Sequence, residues 1–346
     1  MTQHEPESGL PSPLARARTG RAGSPAERRD ASLDWLADAV ARGADTLQVP
    51  EGVPIVLAVS GGPDSTGLLL GAARLAPRRG WQLTVAHLDH ALRDGSADEA
   101  TNVAVMAAGL SLPSETLRTD VAALARVEHR SLEDAGRLAR YRFLEELAAQ
   151  RGPDALIATA HTADDVAETI LLRLVRGSGL RGLRGIPPRR GRIVRPLLQE
   201  RRAVLRAALD AAGASYLLDP SNYDTQHARN RVRAELLPAM EQLNPQVVLA
   251  LLRFGRLAAD DDDLLDALAL AELIRRRETN GSLDWRKPPH RALGRRILRL
   301  ALGDLPPAAE RIERLLDAAQ GPRGGITIEL GGGRQASVRG RRIRLE

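Results

Sequence analysis

The chain has 346 residues, 43% of them apolar, so it exceeds one ordinary domain and can bury more than one core, which excludes a natively disordered chain. It contains no cysteine, and this removes disulfides, thiolate metal sites, iron–sulfur clusters and persulfide carriers. A formal net charge of +6 favours an anionic partner, and Lys287, the single lysine, sits in the loop-like Trp285-Arg-Lys-Pro-Pro-His290, a poor setting for covalent amine chemistry.

Residues 1–30 mix Pro, Gly, Ser and Arg without periodicity and read as a flexible tail that lacks an apolar signal core. No apolar run approaches the roughly 18 residues of a membrane span, so the reading is a cytoplasmic chain with no membrane partner. From Ser32 to Arg42 the positions Leu33, Leu36, Ala37, Val40 and Ala41 share one helical face. Strand-like runs follow at Ile55–Val59, Leu83–His87 and Ala155–Ala160, separated by helix-like stretches at Ala97–Ala108 and Leu132–Gln150. This alternation predicts an α/β fold with a doubly wound parallel sheet, whose ligands sit beyond the carboxyl ends of the strands.

After Leu237-Pro238 the character changes. A long helix is expected over Gln246–Glu278, with the acidic run Asp260–Asp263 as a solvated face, then a helix at Ala308–Gln320 and strand pieces at Gly325–Leu330 and Gln335–Leu345. The expected organisation is a tail over 1–30, a catalytic domain over 31–240 and a smaller, mainly helical domain over 241–346.

Three polar constellations fall at the carboxyl ends of the three predicted strands. Ser60-Gly-Gly-Pro-Asp-Ser65 follows the first, where two glycines permit a tight turn and the amides of the next helix start point at anionic oxygen. Its residues Ser60, Gly61, Gly62, Pro63, Asp64 and Ser65 match neither the Walker pattern nor the Gly-x-Gly-x-x-Gly dinucleotide turn, and read as a nucleotide-phosphate loop that works without a lysine. The second is His87-Leu-Asp-His-Ala-Leu-Arg93, where His87 and Asp89 share an orientation if the strand persists.

The third, His161 to Glu168, has Thr162 as N-cap and Asp164, Asp165 and Glu168 in the first turns of a helix. Magnesium, a hard cation that takes carboxylates and phosphate oxygens, fits between Asp64 and this cluster. Leu171–Arg206 then carries eleven arginines against the single acid Glu200, and Arg229-Asn-Arg-Val-Arg233 adds more, together a candidate track for a polyanion. With eight aromatic residues in the whole chain, stacking platforms are scarce and recognition rests on phosphate and shape.

Taken in order, the Ser60–Ser65 loop, His87-x-Asp-His-x-Leu-Arg93, Leu132-Glu-x-x-x-Arg137 with Ala139-Arg-Tyr141, His161-x-x-Asp-Asp-x-x-Glu-Thr169, Arg176-Gly-x-Gly-x-x-Gly-Leu-x-Gly-Ile186, Arg195-Pro-Leu-Leu198 and Asp219-x-Ser-Asn-x-Asp224 with Arg229-Asn-x-x-Arg233 resemble the tRNA(Ile)-lysidine synthases. These belong to the PP-loop (N-type ATP pyrophosphatase) superfamily. The resemblance runs over roughly residues 53–238 and is looser beyond 240.

It implies a ligase that adenylates C2 of the wobble cytidine in an isoleucine tRNA with a CAU anticodon, then lets free L-lysine displace AMP. ATP and Mg2+ are the implied cofactors, and a homodimer is compatible with it. By resemblance, the Ser60–Ser65 residues hold phosphate, Asp64 and Asp165 hold magnesium, and Asp89 and His161 border the nucleotide. Asp64, Glu133, Asp165 and Arg233 are the implied catalytic set; Glu133 would handle the lysine amine or the cytidine, unless it merely pairs with Arg137 one turn on. Arg93, Arg137, Arg195, Arg229 and Asn230 would touch tRNA or lysine. The competing readings are another PP-loop ligase or tRNA-modifying enzyme, and a non-catalytic ATP- and RNA-binding protein.

Overall fold

The computed structural model describes residues 24–91, 95–218, 228–303, 308–321 and 325–346. They divide into two compact units: the first runs to Gly255 without 179–183, and the second holds Gly179–Leu183 and Arg256–Glu346. The boundary expected at 240 thus falls later in the chain.

The first unit opens with α1 (Pro25–Thr46), started by a reciprocal cap in which the Glu27 amide donates to Ser24 Oγ and the Ser24 amide donates to the Glu27 carboxylate. Residues 25–30 therefore belong to this helix and not to the tail expected over 1–30; the cap starts the helix ahead of the apolar periodicity that begins at Leu33. Residues 1–23 lie outside those described.

In chain order β1 (Pro54–Ala58), α2 (Pro63–Arg79), β2 (Gln82–Asp89), α3 (Ser96–Gly109), β3 (Ser114–Arg118), α4 (Val121–Val127), α5 (Leu132–Arg151), β4 (Leu156–Ala158) and α6 (Ala163–Val175) follow. After the short α7 (Leu180–Leu183) come β5 (Arg189–Arg190), β6 (Ile193–Val194), α8 (Arg202–Ala211), α9 (Ala228–Arg231), a π-helical turn (Val232–Leu236) and α10 (Leu237–Leu243).

The sheet order is β3-β2-β1-β4-β6-β5, parallel except at β5, which runs antiparallel to β6. The expected parallel sheet is present, and its antiparallel edge is new. Strand alternation explains the two covered faces: Ile55 and Leu57 of β1 join Leu36 of α1, Leu68 and Leu69 of α2 and Leu205 and Leu209 of α8, while Val56 joins Leu144 and Leu147 of α5 on the other side. Each such buried side chain contributes about 1.5–3 kcal/mol, so the strand ends are held by a rigid frame.

The topology itself locates a crevice. From β1 the chain moves outward to β2 and β3, then returns to β4 on the opposite side of β1, so the strand order reverses between β1 and β4. Open α/β sheets bind ligands at such a reversal, beyond the carboxyl ends. The loops leaving β1 and β4 carry Ser60–Ser65 and His161–Asp165.

The second unit takes in the later part of α11 (Val247–Arg276), with β7 (Leu283–Asp284), α12 (Arg291–Leu302), α13 (Ala309–Gln320), β8 (Ile326–Gly331), β9 (Arg334–Arg339) and β10 (Arg342–Leu345). Its antiparallel sheet has the order β7-β10-β9-β8 around Trp285, Ile297, Leu315, Leu316, Val338 and Ile343. The strand piece expected over 335–345 is two strands, turned at Gly340 and Arg341, both at positive φ. Asp260, Asp261 and Asp263 are exposed, but Asp262 is fully buried and ion-paired with Arg296, which also holds Asp266 at 2.6 Å. The acidic run is therefore a solvated face in only three of its positions: four consecutive helical residues span a full turn, so one of them faces inward. Among the described residues, no helix is long and apolar enough to cross a membrane.

Candidate active site

The loop after β1 divides its two glycines between two tasks. Gly61 adopts φ +83°, and a Cβ there would lie 2.7 Å from Leu217 Cδ1, whose own amide donates to the Gly61 carbonyl at 2.8 Å. Only glycine fits that backbone without strain. Gly62 has an ordinary φ of −70°, and a Cβ there would meet nothing nearer than Ser60 Oγ at 3.6 Å, so its missing side chain leaves open space in front of the main chain.

Gly62 is the N-cap of α2, Pro63 occupies the first turn, and no side chain caps the helix. The first amides are thus left for an outside acceptor, with the positive end of the helix dipole behind them. Ser60 and Ser65 brace the turn from within: the Ser60 amide donates to Ser65 Oγ at 3.2 Å, and Ser65 Oγ donates to the Gly62 carbonyl at 3.0 Å.

Three carboxylates and three arginines meet beside this loop. Arg202 Nε lies 3.0 Å from Asp64 Oδ2, its Nη2 2.9 Å from Asp165 Oδ1, and its Nη1 2.9 Å from Glu168 Oε1. Arg229 donates to Asp165 Oδ1 at 3.0 Å and to Glu168 Oε2 at 2.9 Å, and Arg233 Nε donates to Glu168 Oε1 at 2.8 Å. Packing sets this geometry: Val232 and Leu237 lie in one apolar cluster with Ala163, Ala167 and Leu171 of α6, which brings Arg229 and Arg233 over Glu168. The Thr162 amide and hydroxyl both donate to Asp165 Oδ2 at 2.9 Å, fixing that carboxylate at the helix start as expected.

The electrostatics separate these acids. Burial alone would raise all three carboxyls. On Asp165 the guanidiniums of Arg202 and Arg229 outweigh burial, and on Glu168 those of Arg233 and Arg202 do, so both are held below the ordinary carboxylate value. At Asp64 burial wins, helped by the nearby Asp165, and its carboxyl is raised despite Arg202. Asp64 Oδ1 is buried and has no hydrogen-bond partner among the described residues. That orphaned oxygen fits a magnesium ligand, since magnesium needs only one or two protein carboxylates. Asp165 has no such opening, because protein donors engage both of its oxygens.

The other expected residues fall in different places. His87 Nδ1 meets the Val59 carbonyl at 2.9 Å, and the buried Asp89 accepts from the Ala91 amide at 2.9 Å at the end of β2. His161, after β4, contacts Thr159 Oγ1 at 3.0 Å, and burial lowers its pKa to about 4. Asp164, four residues before Glu168 in the first turn of α6, accepts from Arg201 Nε at 3.2 Å and from the Arg202 amide at 2.7 Å, capping α8. Glu133 is exposed in the first turn of α5 with no ion pair to Arg137, whose guanidinium lies over the Tyr141 ring. Arg195, directly after β6, is buried and donates to the Pro187 carbonyl at 2.6 Å. Asn230 lies on α9 between Arg229 and Arg231. Arg93 and the Asp219–Asp224 motif lie outside the described residues.

Arg202 is the member that sequence reasoning missed. It was one of eleven arginines in its segment, with nothing periodic to single it out. The usable signal was charge balance: three acids converging on a buried crevice require cations of their own, beyond any meant for an external anion.

A family model for the PP-loop domain matches residues 38–240. The tRNA(Ile)-lysidine synthase of Geobacter sulfurreducens is 43% identical over 265 residues, covering 72% of this chain and 56% of that protein. The tRNA(Ile)-lysidine synthase of Salinispora tropica is 43% identical over 243 residues, covering 68% of this chain and 72% of that protein. The chain thus spans little more than half the length of the Geobacter relative. Among solved structures, the U34-tRNA thiolase NcsA from Methanococcus maripaludis, with its [4Fe-4S] cluster, superposes with a TM-score of 0.56 at 14% identity over 67% of this chain and 80% of that one, a likeness of fold alone. By its PP-loop domain and by these relatives, the chain belongs to the tRNA(Ile)-lysidine synthase family of PP-loop proteins.

Proposed function

We propose that the protein ligates free L-lysine to C2 of the wobble cytidine in the CAU anticodon of an isoleucine tRNA, using ATP. The observation that carries this reading is the buried, unpartnered Asp64 Oδ1 beside an uncapped helix start at the strand-order reversal. In the first step the C2 oxygen attacks the α phosphorus, the bond to the bridging oxygen of the β phosphate breaks, and pyrophosphate leaves. In the second the lysine amine attacks C2 and AMP leaves with the former carbonyl oxygen.

The protein mainly positions reactants and neutralises charge. The open main chain at Gly62 and the α2 amides would receive the triphosphate, and Asp89 and His161 would border the nucleotide. Magnesium held through Asp64 Oδ1 would neutralise charge on the departing pyrophosphate. Asp165, joined with Glu168 to Arg229 and Arg233, would keep those guanidiniums facing the reacting phosphate. Glu133, exposed and free of an ion pair with Arg137, would take the proton released by the attacking amine. Arg93, Arg137, Arg195 and Asn230, together with the second unit, would contact the tRNA.

The test combines purified protein, ATP, labelled lysine and unmodified tRNA carrying CAU. Label in the tRNA with stoichiometric AMP is expected, and Asp64→Asn should abolish AMP formation while leaving the fold intact. Conversion of ATP only to ADP and orthophosphate would sink the reading.

A further inference from the structure

Burial chiefly lowers the pKa of His161, Asp165 opposes it, and arginines of two groups add to it, Arg229 from one and Arg195 and Arg137 from the other. Among the described residues carboxylates neutralise only the first, in which Arg202, Arg229 and Arg233 meet Asp64, Asp165 and Glu168. The second gathers on Tyr141. Arg137, one turn earlier on α5, has its guanidinium carbon 4.8 Å from the ring centroid, and Arg190 of β5 lies 5.6 Å from the same ring. Arg195, 3% exposed, follows β6 directly, and burial chiefly lowers its pKa, with Tyr141, Arg190 and Arg137 the charged and polar groups that act on it.

Among the described residues no acid compensates this second group. Among the described residues neither Arg137 nor Arg190 has an ion-pair partner. Arg195 donates through Nη1 to the Pro187 carbonyl, while its buried Nε has no hydrogen-bond partner. Cation–π contacts at exposed sites such as Arg137 and Arg190 contribute about 0.5–1 kcal/mol each, and for the buried Arg195 the uncompensated guanidinium costs several kcal/mol. Arginines kept for solubility would spread apart, and arginines kept for structure would be paired like Arg202. Guanidiniums converging without acids match a phosphate group, whose oxygens accept their forked donors.

We infer that Arg137, Arg190 and Arg195, gathered on Tyr141, form a cradle for a backbone phosphodiester of the RNA substrate, separate from the triphosphate loop. The inference rests on the proposed RNA substrate. The cradle stands on α5 and the β5–β6 hairpin, whereas the triphosphate loop belongs to β1 and α2, and two of its arginines are exposed as a passing backbone requires. With the ring already occupied by guanidiniums, the cradle reads charge and position and not the identity of a base.

The test measures binding of unmodified CAU tRNA and of a tRNA with another anticodon to Arg190→Gln across a salt series, with ATP affinity measured in parallel. Affinity for both tRNAs should fall about tenfold, as for the loss of one charge-assisted contact. The slope of log affinity against log salt should become shallower by about 0.7–0.9, with ATP affinity unchanged. Arg190→Lys, which keeps the charge, should recover the slope. An unchanged slope in Arg190→Gln, or a loss confined to ATP binding, overturns the cradle. Failure of the wild type to transfer lysine would sink the functional reading and leave this comparison intact.

Discussion

Arg202 Nε stands 3.0 Å from Asp64 Oδ2, and through its other nitrogens the same guanidinium ties the loop after β1 to the helix after β4. One side chain from α8 therefore sets the separation between the two loops that flank the crevice. Arg202→Gln leaves the buried Asp165 and Glu168 and the half-buried Asp64 with two arginines, and Asp64 with no cation in contact among the described residues. Removing one partner of a buried ionic set costs about 3–5 kcal/mol, so a loss of that size is expected in urea unfolding. Arg202→Lys should recover only part of it, because an ammonium is a point charge that cannot fork to three acids. A loss under about 1 kcal/mol for the glutamine variant would remove Arg202 from this position.

The two loop glycines should respond differently to alanine. Gly61→Ala forces a side chain onto a φ of +83° and against Leu217, so about 1–2 kcal/mol of stability should be lost together with ATP binding. Gly62→Ala meets no clash within the protein, so stability should change by less than about 0.5 kcal/mol while ATP affinity falls. Thermal unfolding and nucleotide titration of both variants decide the matter. Unchanged ATP affinity in Gly62→Ala would mean that the open space before Gly62 does not receive a ligand, and equal destabilisation of the two would mean that the space is not open.

These contrasts mark what local sequence could carry. The Ser60–Ser65 loop was legible because a glycine turn and a helix start are local events, and the strands Ile55–Val59 and Leu83–His87 announced themselves by apolar content. β5 and β6, two residues each, are too short for any period to register, so the antiparallel edge and the hairpin that carries Arg190 stayed hidden. Asp164 and Glu168 are four apart on one helix, yet Asp164 turns to cap α8, a choice set by an element 37 residues away in sequence. Arg229 and Arg233 read as open cations because their acids lie on α6, which sequence distance conceals. Spacing allowed the Glu133–Arg137 pair; Tyr141 offered Arg137 a ring instead.

Acid should destabilise the fold before the carboxylates of the cluster titrate. His161 and His90 are each lowered from 6.5 to about 4, chiefly by burial. Between those values the unfolded chain takes up protons that the folded chain refuses, so their contribution is complete above pH 6.5 and is lost as pH falls toward 4. Asp165 and Glu168, held below their ordinary values of 3.8 and 4.5, keep their contribution above those values and lose it as pH falls from them through the lower folded ones. Asp64 works in the opposite sense: its raised carboxyl favours the protonated fold, so its contribution is present below 3.8 and lost as pH rises through its folded value. The melting temperature should therefore fall from pH 6.5 to 4, and His161→Gln should make that fall shallower whatever its effect on stability at pH 7. A slope identical to the wild type would show that His161 takes up its proton in the folded protein as readily as in the unfolded chain.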